Sequence, residues 1–392
     1  KFKISREKLA YIVDSTAAPV ASIAFITTWI GAELSYIADG IAGLEGFPPG
    51  STPYSIFFSS LKYSFYPILT LLFILILILT GRDFGPMLFY EKKSKTEDNL
   101  NMDSKDHLND DLRPVKGIPL RARNAVVPIF VVVGVTIFGL LTTGIENSEK
   151  IEGGYLVRLG LIIGNADSYK ALLWASLAGV SIAFLMTVYS KIMNLEQGMN
   201  TIMSGIKTML PAILILTFAW SLASTTAELH TATFITTALQ GNIHPLIMPA
   251  LIFILSVLIS FSTGSSWSTM AILYPIAIPA TWTISIQYGL SIENSYELVL
   301  NVIAVVMAAS VMGDHISPIS DTTILSSLAS DCNHLNHVKT QMPYSLTVGV
   351  FAFLGAIISA LFWGNWLTFL TFIGFASFIL WLIVIRIGKS VE

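Results

Sequence analysis

Long apolar runs alternate with short polar segments along the chain. A helix of about 20 mostly apolar residues crosses the hydrocarbon core of a bilayer. The pattern therefore predicts an all-α, polytopic membrane protein with about ten transmembrane helices, and we expect residues 1–392 to form a single transmembrane domain. The predicted crossings are residues 14–36, 64–80, 125–143, 170–190, 209–240, 245–263, 268–288, 297–325, 343–363 and 366–386.

Composition and charge support this prediction. Hydrophobic residues make up 54 % of the chain and charged residues 12 %, whereas soluble domains carry about 25 % charged residues. A soluble enzyme, a nucleic-acid binder and a disordered chain are therefore excluded. If the first residues are cytoplasmic, most of the 22 Lys and Arg lie in inside segments, as the positive-inside rule requires. The polar stretch 81–124 is then a cytoplasmic loop, and we expect its middle, residues 91–111, to be flexible.

Three polar stretches interrupt the apolar pattern. They are residues 224–231 in the fifth predicted crossing, residues 264–270 after the sixth, and residues 313–323 in the eighth. Pro318 lacks an N–H group, and Gly264 allows unusual backbone angles. Unwound backbone at membrane depth is tolerated where protein buries it or where it lines a water-filled cavity, and in transporters such breaks line the site.

Five acidic residues lie within or beside the predicted crossings, and no Lys or Arg lies deep in any of them. A carboxylate at the bilayer centre costs about 2.5–3.5 kcal/mol on insertion scales. Without a fixed cationic partner, it takes a proton or holds a mobile cation. A site that does both in turn can exchange protons against a cation. The five acids are Asp14, Glu33, Glu228, Asp314 and Asp321.

The strongest candidates are Asp314 and Asp321, which come from one interrupted segment. Hard cations prefer oxygen ligands, and the hydroxyls of Ser317, Ser320 and Thr322 surround the pair in sequence. We expect these side chains to bind a cation and a proton competitively. The alternatives are that Asp314 caps a helix and that Asp321 is the N-cap of a helix that starts at Thr322.

The other polar candidates have weaker signals. Glu228 would be a second titrating group, with His230 at the same break. His315 would act as a pH sensor or proton relay, or simply bond a neighbouring carbonyl. Asp14 would line the cavity or cap the first helix, and Glu33 is expected to be solvated near the outer end.

The break after the sixth crossing would supply the facing half of the cavity. A Gly-Ser-rich break exposes backbone amides and carbonyls to a ligand. A metal site in the polar segment 331–337 is disfavoured, and we expect no cofactor and no metal beyond a transported cation. The expected cavity-lining residues are Gly264, Ser265, Ser266, Trp267, Ser268, Thr269, Gly313, Pro318 and Asp14.

Residues 313–327, together with residues 334–343, strongly resemble the C-terminal signature of the NhaC family of Na⁺/H⁺ antiporters. Residues 263–275 resemble that family's second Gly-Thr-Ser-Trp-Gly-Thr motif, with Ser265 and Ser268 as departures, and residues 8–19 also look like the family. The resemblance covers nearly the whole chain. Members typically carry both motifs twice, whereas this chain shows one copy of each, so we expect an N-terminal repeat to be missing.

The resemblance implies secondary active transport in the cytoplasmic membrane, with Na⁺ and H⁺ exchanged by a fold with internal repeats and broken helices. The implied partners are the two ions, the lipid bilayer and a possible homodimer, with no nucleic acid. An alternative within the family is Na⁺/H⁺-coupled transport of organic anions such as malate and lactate, or of amino acids. An intramembrane enzyme and a passive channel are the disfavoured rivals.

Overall fold

The computed structural model describes residues 4–24, 27–96, 121–148, 158–159, 162–163, 166–229 and 244–391. These residues are almost entirely helical, as predicted. The first part contains α1 (Arg6–Ala21), α2 (Thr28–Ile41), α3 (Pro53–Ser60), a 3₁₀ turn (Leu61–Tyr63), α4 (Phe65–Thr80), β1 (Arg82–Asp83), α5 (Gly85–Thr96), α6 (Arg123–Asn147), α7 (Ser168–Tyr189) and α8 (Leu195–Glu228). The remainder contains a 3₁₀ turn (Pro245–Ile247), α9 (Met248–Thr263), α10 (Ser266–Gln287), α11 (Ile292–Ile316), α12 (Asp321–Ala329), α13 (His334–Leu361), α14 (Trp366–Ile387) and β2 (Lys389–Ser390).

Fewer helices than predicted are long and apolar enough to cross a membrane. Within the described ranges there are 7, or up to 8 if α3 and its 3₁₀ turn form one bent span with α4. The bend between these two parts is 49°. The prediction of about ten crossings is therefore not confirmed, although a multi-pass membrane protein is.

The first predicted crossing, residues 14–36, is wrong as a single helix. The structure has α1 of 16 residues and α2 of 14 residues in this region. At 1.5 Å per residue, each is shorter than the hydrocarbon core of about 30 Å. Ser22 ends α1, since its N–H bonds the carbonyl of Ala18 and its hydroxyl bonds that of Pro19 at 2.9 Å.

The polar segment after α4 begins with regular structure, so the flexibility predicted for residues 91–111 is wrong for residues 91–96, and residues 97–111 lie outside the described residues. Residues Arg82–Asp83 pair antiparallel with Lys389–Ser390, and α5 continues to Thr96. Glu91 is buried and accepts hydrogen bonds from Ser5. A carboxylate that is buried and bonded in this way holds its helix in place, so charge density alone gave the wrong prediction.

The chain divides into two compact units. One contains residues 1–24, 36–106 and 215–392, and the other contains residues 25–35 and 107–214. In the second unit, α6 packs closely against α7, since a Cβ on Gly139 would lie 2.7 Å from that of Ala171. Small residues allow such close approach between membrane helices. The prediction of a single domain stays a prediction.

The core of the first unit is α11, which is buried along nearly its whole length. It packs against α9, α10 and α13. Its residues are apolar on every side from Leu298 to Met312, apart from Asn301 and Ser310, which is typical of a helix surrounded by other helices. Helix α11 therefore places its C-terminal end, which carries Asp314, in the centre of this unit.

Candidate functional site

The two breaks predicted at residues 264–270 and 313–323 meet in the structure. Helix α9 ends at Thr263 and α10 starts at Ser266, and the Gly264 between them has φ +64°. A Cβ on Gly264 would lie 2.6 Å from the carbonyl oxygen of Ile319, which lies between α11 and α12. The left-handed backbone and the close approach both require glycine here.

The second break spans residues 317–320. The N–H group of Ser317 donates to the carbonyl of Asp314 at 3.1 Å, and its hydroxyl donates to the carbonyl of Phe261 at 2.8 Å. Pro318 is exposed, and its carbonyl lies 2.6 Å from Nε2 of His334. The C-terminal end of α9 is thus tied to the C-terminal end of α11.

The helix after this break is capped by Ser320, not by Asp321. The Ser320 hydroxyl oxygen accepts from the N–H of Thr323 at 3.2 Å. Asp321 is the first helical residue, is half-buried, and accepts at Oδ1 from the N–H of Thr322 at 2.8 Å. The alternative that Asp321 is an N-cap is therefore wrong. Its carboxylate belongs to the first turn of α12.

Asp314 lies in the last turn of α11 and does not cap the start of a helix. Its side chain is completely buried. Oδ2 accepts a hydrogen bond from the Thr322 hydroxyl at 2.7 Å, whereas Oδ1 has no hydrogen-bond partner among the described residues. A buried carboxylate oxygen left without a donor is costly, so this oxygen needs a proton or a cation.

Asp14 is the second completely buried carboxylate of the site. It lies in the middle of α1, whose N-cap is Ser5, so the alternative of a helix cap is wrong. Its oxygens accept from Thr323 Oγ1 at 2.9 Å, Gln341 Nε2 at 2.6 Å and Ser326 Oγ at 3.3 Å. Because Thr322 bonds Asp314 and Thr323 bonds Asp14, the first turn of α12 connects the two buried acids.

The buried lysine of α1 is engaged outside the site. Lys8 precedes Asp14 on α1, but its Nζ lies 2.8 Å from Asp83 and 3.9 Å from Glu91. Tyr344 also donates to Asp83, at 2.8 Å. The other ion pairs among the described residues are Arg6–Asp331 and Lys62–Glu297. None of these pairs includes Asp14, Asp314 or Asp321.

His315 is completely buried next to Asp314. Its Nδ1 lies 2.9 Å from the hydroxyl of Tyr66, and its Nε2 has no hydrogen-bond partner within the described ranges. Its backbone carbonyl accepts from Gln341 at 2.9 Å. The ring therefore bonds a tyrosine hydroxyl rather than the carbonyl that the alternative named.

The start of α10 places several hydroxyls against α11. Ser265 caps the helix by accepting from the N–H of Ser268 at 3.3 Å, and Thr269 donates back to the Ser265 carbonyl at 3.0 Å. The Ser266 hydroxyl donates to the carbonyl of Ser310, one turn before Asp314, at 3.3 Å.

Two further features of the contact of α9 and α10 with α11 concern Ser268 and Gly313. The hydroxyl of Ser268 is buried with no hydrogen-bond partner in the described part of the chain, and the neighbouring Trp267 is half-buried. A Cβ on Gly313 would lie 2.6 Å from that of Ser260. This close approach brings α9 directly against the end of α11 that carries Asp314.

The structure does not bring Glu228 to the two buried acids. Helix α8 continues without a break to Glu228, so the break predicted from residue 224 is wrong as far as residue 228. The Glu228 side chain is exposed, and no hydrogen bond or ion pair joins it to Asp14 or Asp314 among the described residues. His230 lies outside the described residues.

Glu33 is buried, which corrects the expectation of solvation.

Sequence reasoning missed the residues that hold Asp14. Thr323, Ser326 and Gln341 lie in the two motifs of the resemblance, but their spacing alone did not indicate contact with α1. The described residues contain no group of three or more His, Cys, Asp or Glu arranged to hold a metal. Burial also raises the pKa of the Cys332 thiol to about 12, so this residue is a poor thiolate ligand.

A sequence profile described as the Na⁺/H⁺ antiporter family matches residues 14–381. The chain belongs to the Na⁺/H⁺ antiporter family. The match includes both breaks and all the buried acids described above. Membership assigns the chain to a family of membrane transporters rather than enzymes.

Individual relatives agree with this assignment. An uncharacterized protein of Haemophilus influenzae is 31 % identical over 91 % of this chain. The arginine/ornithine antiporter ArcD of Halobacterium salinarum is 28 % identical over 49 % of the chain. The malate-2H⁺/Na⁺-lactate antiporter of Bacillus subtilis is 31 % identical over 42 %. The matched regions span 64 %, 36 % and 33 % of these relatives' own lengths.

Proposed function

We propose that this protein exchanges Na⁺ for H⁺ across the cytoplasmic membrane by competitive binding at Asp314 and Asp321. The observation that carries the proposal is the state of Asp314, a completely buried carboxylate with one oxygen bonded to Thr322 and the other without a donor among the described residues. A proton or a Na⁺ ion on that oxygen would neutralise the buried charge.

The groups around Asp314 suit a hard cation. Hydroxyl oxygens of Ser317 and Ser320 lie in the break after α11, and that of Thr322 lies in the first turn of α12; hard cations prefer such ligands. The C-terminal ends of α9 and α11 also meet there, joined by the bond from Ser317 to Phe261. Helix C-termini carry partial negative charge, and in transporters they coordinate the coupling ions.

Competition follows from the cost of burying charge. An ionised Asp314 without a companion pays the full desolvation penalty, and a site that held both a proton and Na⁺ would carry excess positive charge. One neutralising cation at a time is the favourable occupancy. Alternating exposure of the site to the two sides of the membrane would then couple the outward movement of Na⁺ to the inward movement of H⁺.

The direct test replaces Asp314→Asn in protein reconstituted into vesicles. Asparagine keeps the shape but neither titrates nor neutralises a cation, so we expect Na⁺-dependent proton movement to be abolished. The matched control is Asp331→Asn, because Asp331 is exposed and pairs with Arg6 at the surface. The control should retain exchange, and both variants should insert normally. Unchanged exchange in Asp314→Asn would remove this residue from the mechanism.

The same vesicles decide between ions alone and an organic co-substrate. Two relatives are named for arginine/ornithine and for malate and lactate. In the described part of the chain no basic side chain is paired with Asp14 or Asp314, which favours ions alone over an organic anion. We therefore expect exchange without added arginine, malate or lactate. A Na⁺ flux that requires one of them would contradict the proposal.

A further inference from the structure

The buried side chain of Gln341 connects α1, which carries Asp14, to α11, which carries Asp314. Its Nε2 donates to Oδ2 of Asp14 at 2.6 Å and to the backbone carbonyl of His315 at 2.9 Å. The carbonyl can only accept, so the amide nitrogen must face it, and this fixes the orientation of the amide. Gln341 therefore ties Asp14 on α1 to the turn of α11 that carries Asp314.

The orientation of Gln341 determines the tautomer of His337. The Gln341 oxygen, Oε1, lies 2.9 Å from Nε2 of His337. Because an amide oxygen only accepts, Nε2 must carry the hydrogen. His337 is completely buried, and its Nδ1 lies 2.8 Å from the hydroxyl of Ser327. His337 thus donates at Nε2 to the Gln341 oxygen, which holds the Gln341 amide in place.

The remaining donors to Asp14 come from α12. Thr323 and Ser326 both donate to it, so three side-chain donors converge on one carboxylate.

We propose that Gln341 is a positioning residue for ion exchange. It holds the Asp14 side chain in a fixed orientation and ties it to the end of α11, while His337 holds Gln341. The inference rests on the proposed function, because it concerns how the second buried acid supports exchange at Asp314. It adds a role for two residues of α13 that do not themselves contact Asp314.

The first variant is Gln341→Leu, which removes both donated hydrogen bonds. The Asp14 carboxylate is then no longer held against the end of α11, so the Na⁺ concentration profile of Na⁺-dependent proton movement should shift to an about tenfold higher KM for Na⁺. The maximal rate should fall less than the KM rises. The matched control is Thr340→Val, because Thr340 is buried on the same helix and its hydroxyl bonds only backbone carbonyls of that helix. It should leave the profile unchanged.

A second pair of variants separates positioning from packing. Gln341→Glu keeps the size of the side chain but replaces the donor by an acceptor, so it should shift the profile in the same direction and further. His337→Leu should shift it less than Gln341→Leu, and His337→Gln, which retains an N–H donor, should restore part of the wild-type profile. A purely structural role predicts loss of stable protein without these graded shifts.

A readout independent of transport keeps the two proposals distinguishable. Infrared difference spectra of the membrane-inserted protein should contain a side-chain carboxyl band that is absent in Asp14→Asn. In Gln341→Leu, this band should move to a different frequency, because a hydrogen bond to the carboxyl group is lost. If the wild-type protein shows no Na⁺-dependent proton movement, the proposed function fails while the band still tests Gln341. An Asp14 band at the same frequency in the wild type, Gln341→Leu and Gln341→Glu would overturn the inference.

Discussion

At the residue scale, the two buried aspartates differ in what satisfies them. Asp14 accepts from three side chains, whereas Asp314 accepts from Thr322 alone and leaves Oδ1 without a partner in the described ranges. The sequence indicated Asp314 because an acid beside a Gly and a Pro interrupts an apolar run. It could not indicate that Asp14 meets Thr323 and Gln341, because those contacts join residues more than 300 positions apart.

Lys8 provides a stability test at this scale. Lys8→Met leaves Asp83 and Glu91 as buried carboxylates without their cation, and removal of one partner from a buried pair costs about 3–5 kcal/mol. We expect a large loss of thermal stability in detergent-solubilised protein.

The matched control is Arg6→Met on the same helix, whose ion pair with Asp331 is 38 % and 59 % exposed at the two side chains. Exposed pairs contribute about 0–1 kcal/mol, so the control should unfold close to the wild-type temperature. Equal losses in the two variants would show that Lys8 does not neutralise a buried pair.

At the element scale, breaks were predicted better than helix lengths. The break after α9 and the one after α11 were visible in sequence because Gly264 and Pro318 interrupt otherwise helical patterns. The break predicted in the fifth crossing was wrong up to Glu228, because Ser and Thr inside a membrane helix can bond their own helix, as Ser221 and Thr225 do. The crossing predicted at 14–36 was wrong because an apolar run indicates which residues are buried but does not show where a helix ends.

Gly264→Ala tests whether the two breaks must touch. The backbone of Gly264 is left-handed, and a Cβ would meet the carbonyl of Ile319 at 2.6 Å. The control is Gly81→Ala, because Gly81 has φ +59° with nothing within 4 Å of its Cβ position. The control should lose about 1–2 kcal/mol from backbone strain alone.

Gly264→Ala should lose that amount and a further 1–3 kcal/mol, roughly, from the forced displacement of Ile319. Thermal unfolding of both variants, with exchange measured in vesicles, checks the prediction. Exchange should fall in Gly264→Ala and persist in Gly81→Ala. Equal stability and exchange in the two variants would show that contact between the breaks is unimportant.

At the scale of the whole molecule, the site lies within one of the two compact units, around the buried helix α11. Elements distant in sequence converge on it, namely α1 from the start of the chain and α9 to α13 from the second half. Hydropathy identified the class of protein because the bilayer restricts what can span it. The predicted number of about ten crossings is not confirmed, because the described part of the chain has 7, or at most 8, helices long and apolar enough to span.

The most direct test of the central claim is Na⁺ binding to the purified protein as a function of pH. If one proton and one Na⁺ compete for the same buried carboxylate, the apparent Kd for Na⁺ should rise about tenfold for each unit of pH decrease below the titration midpoint. Na⁺ addition in that range should also release protons. In Asp314→Asn, both effects should disappear. A wild-type Na⁺ affinity that stays constant across pH, with no proton release, would contradict the account.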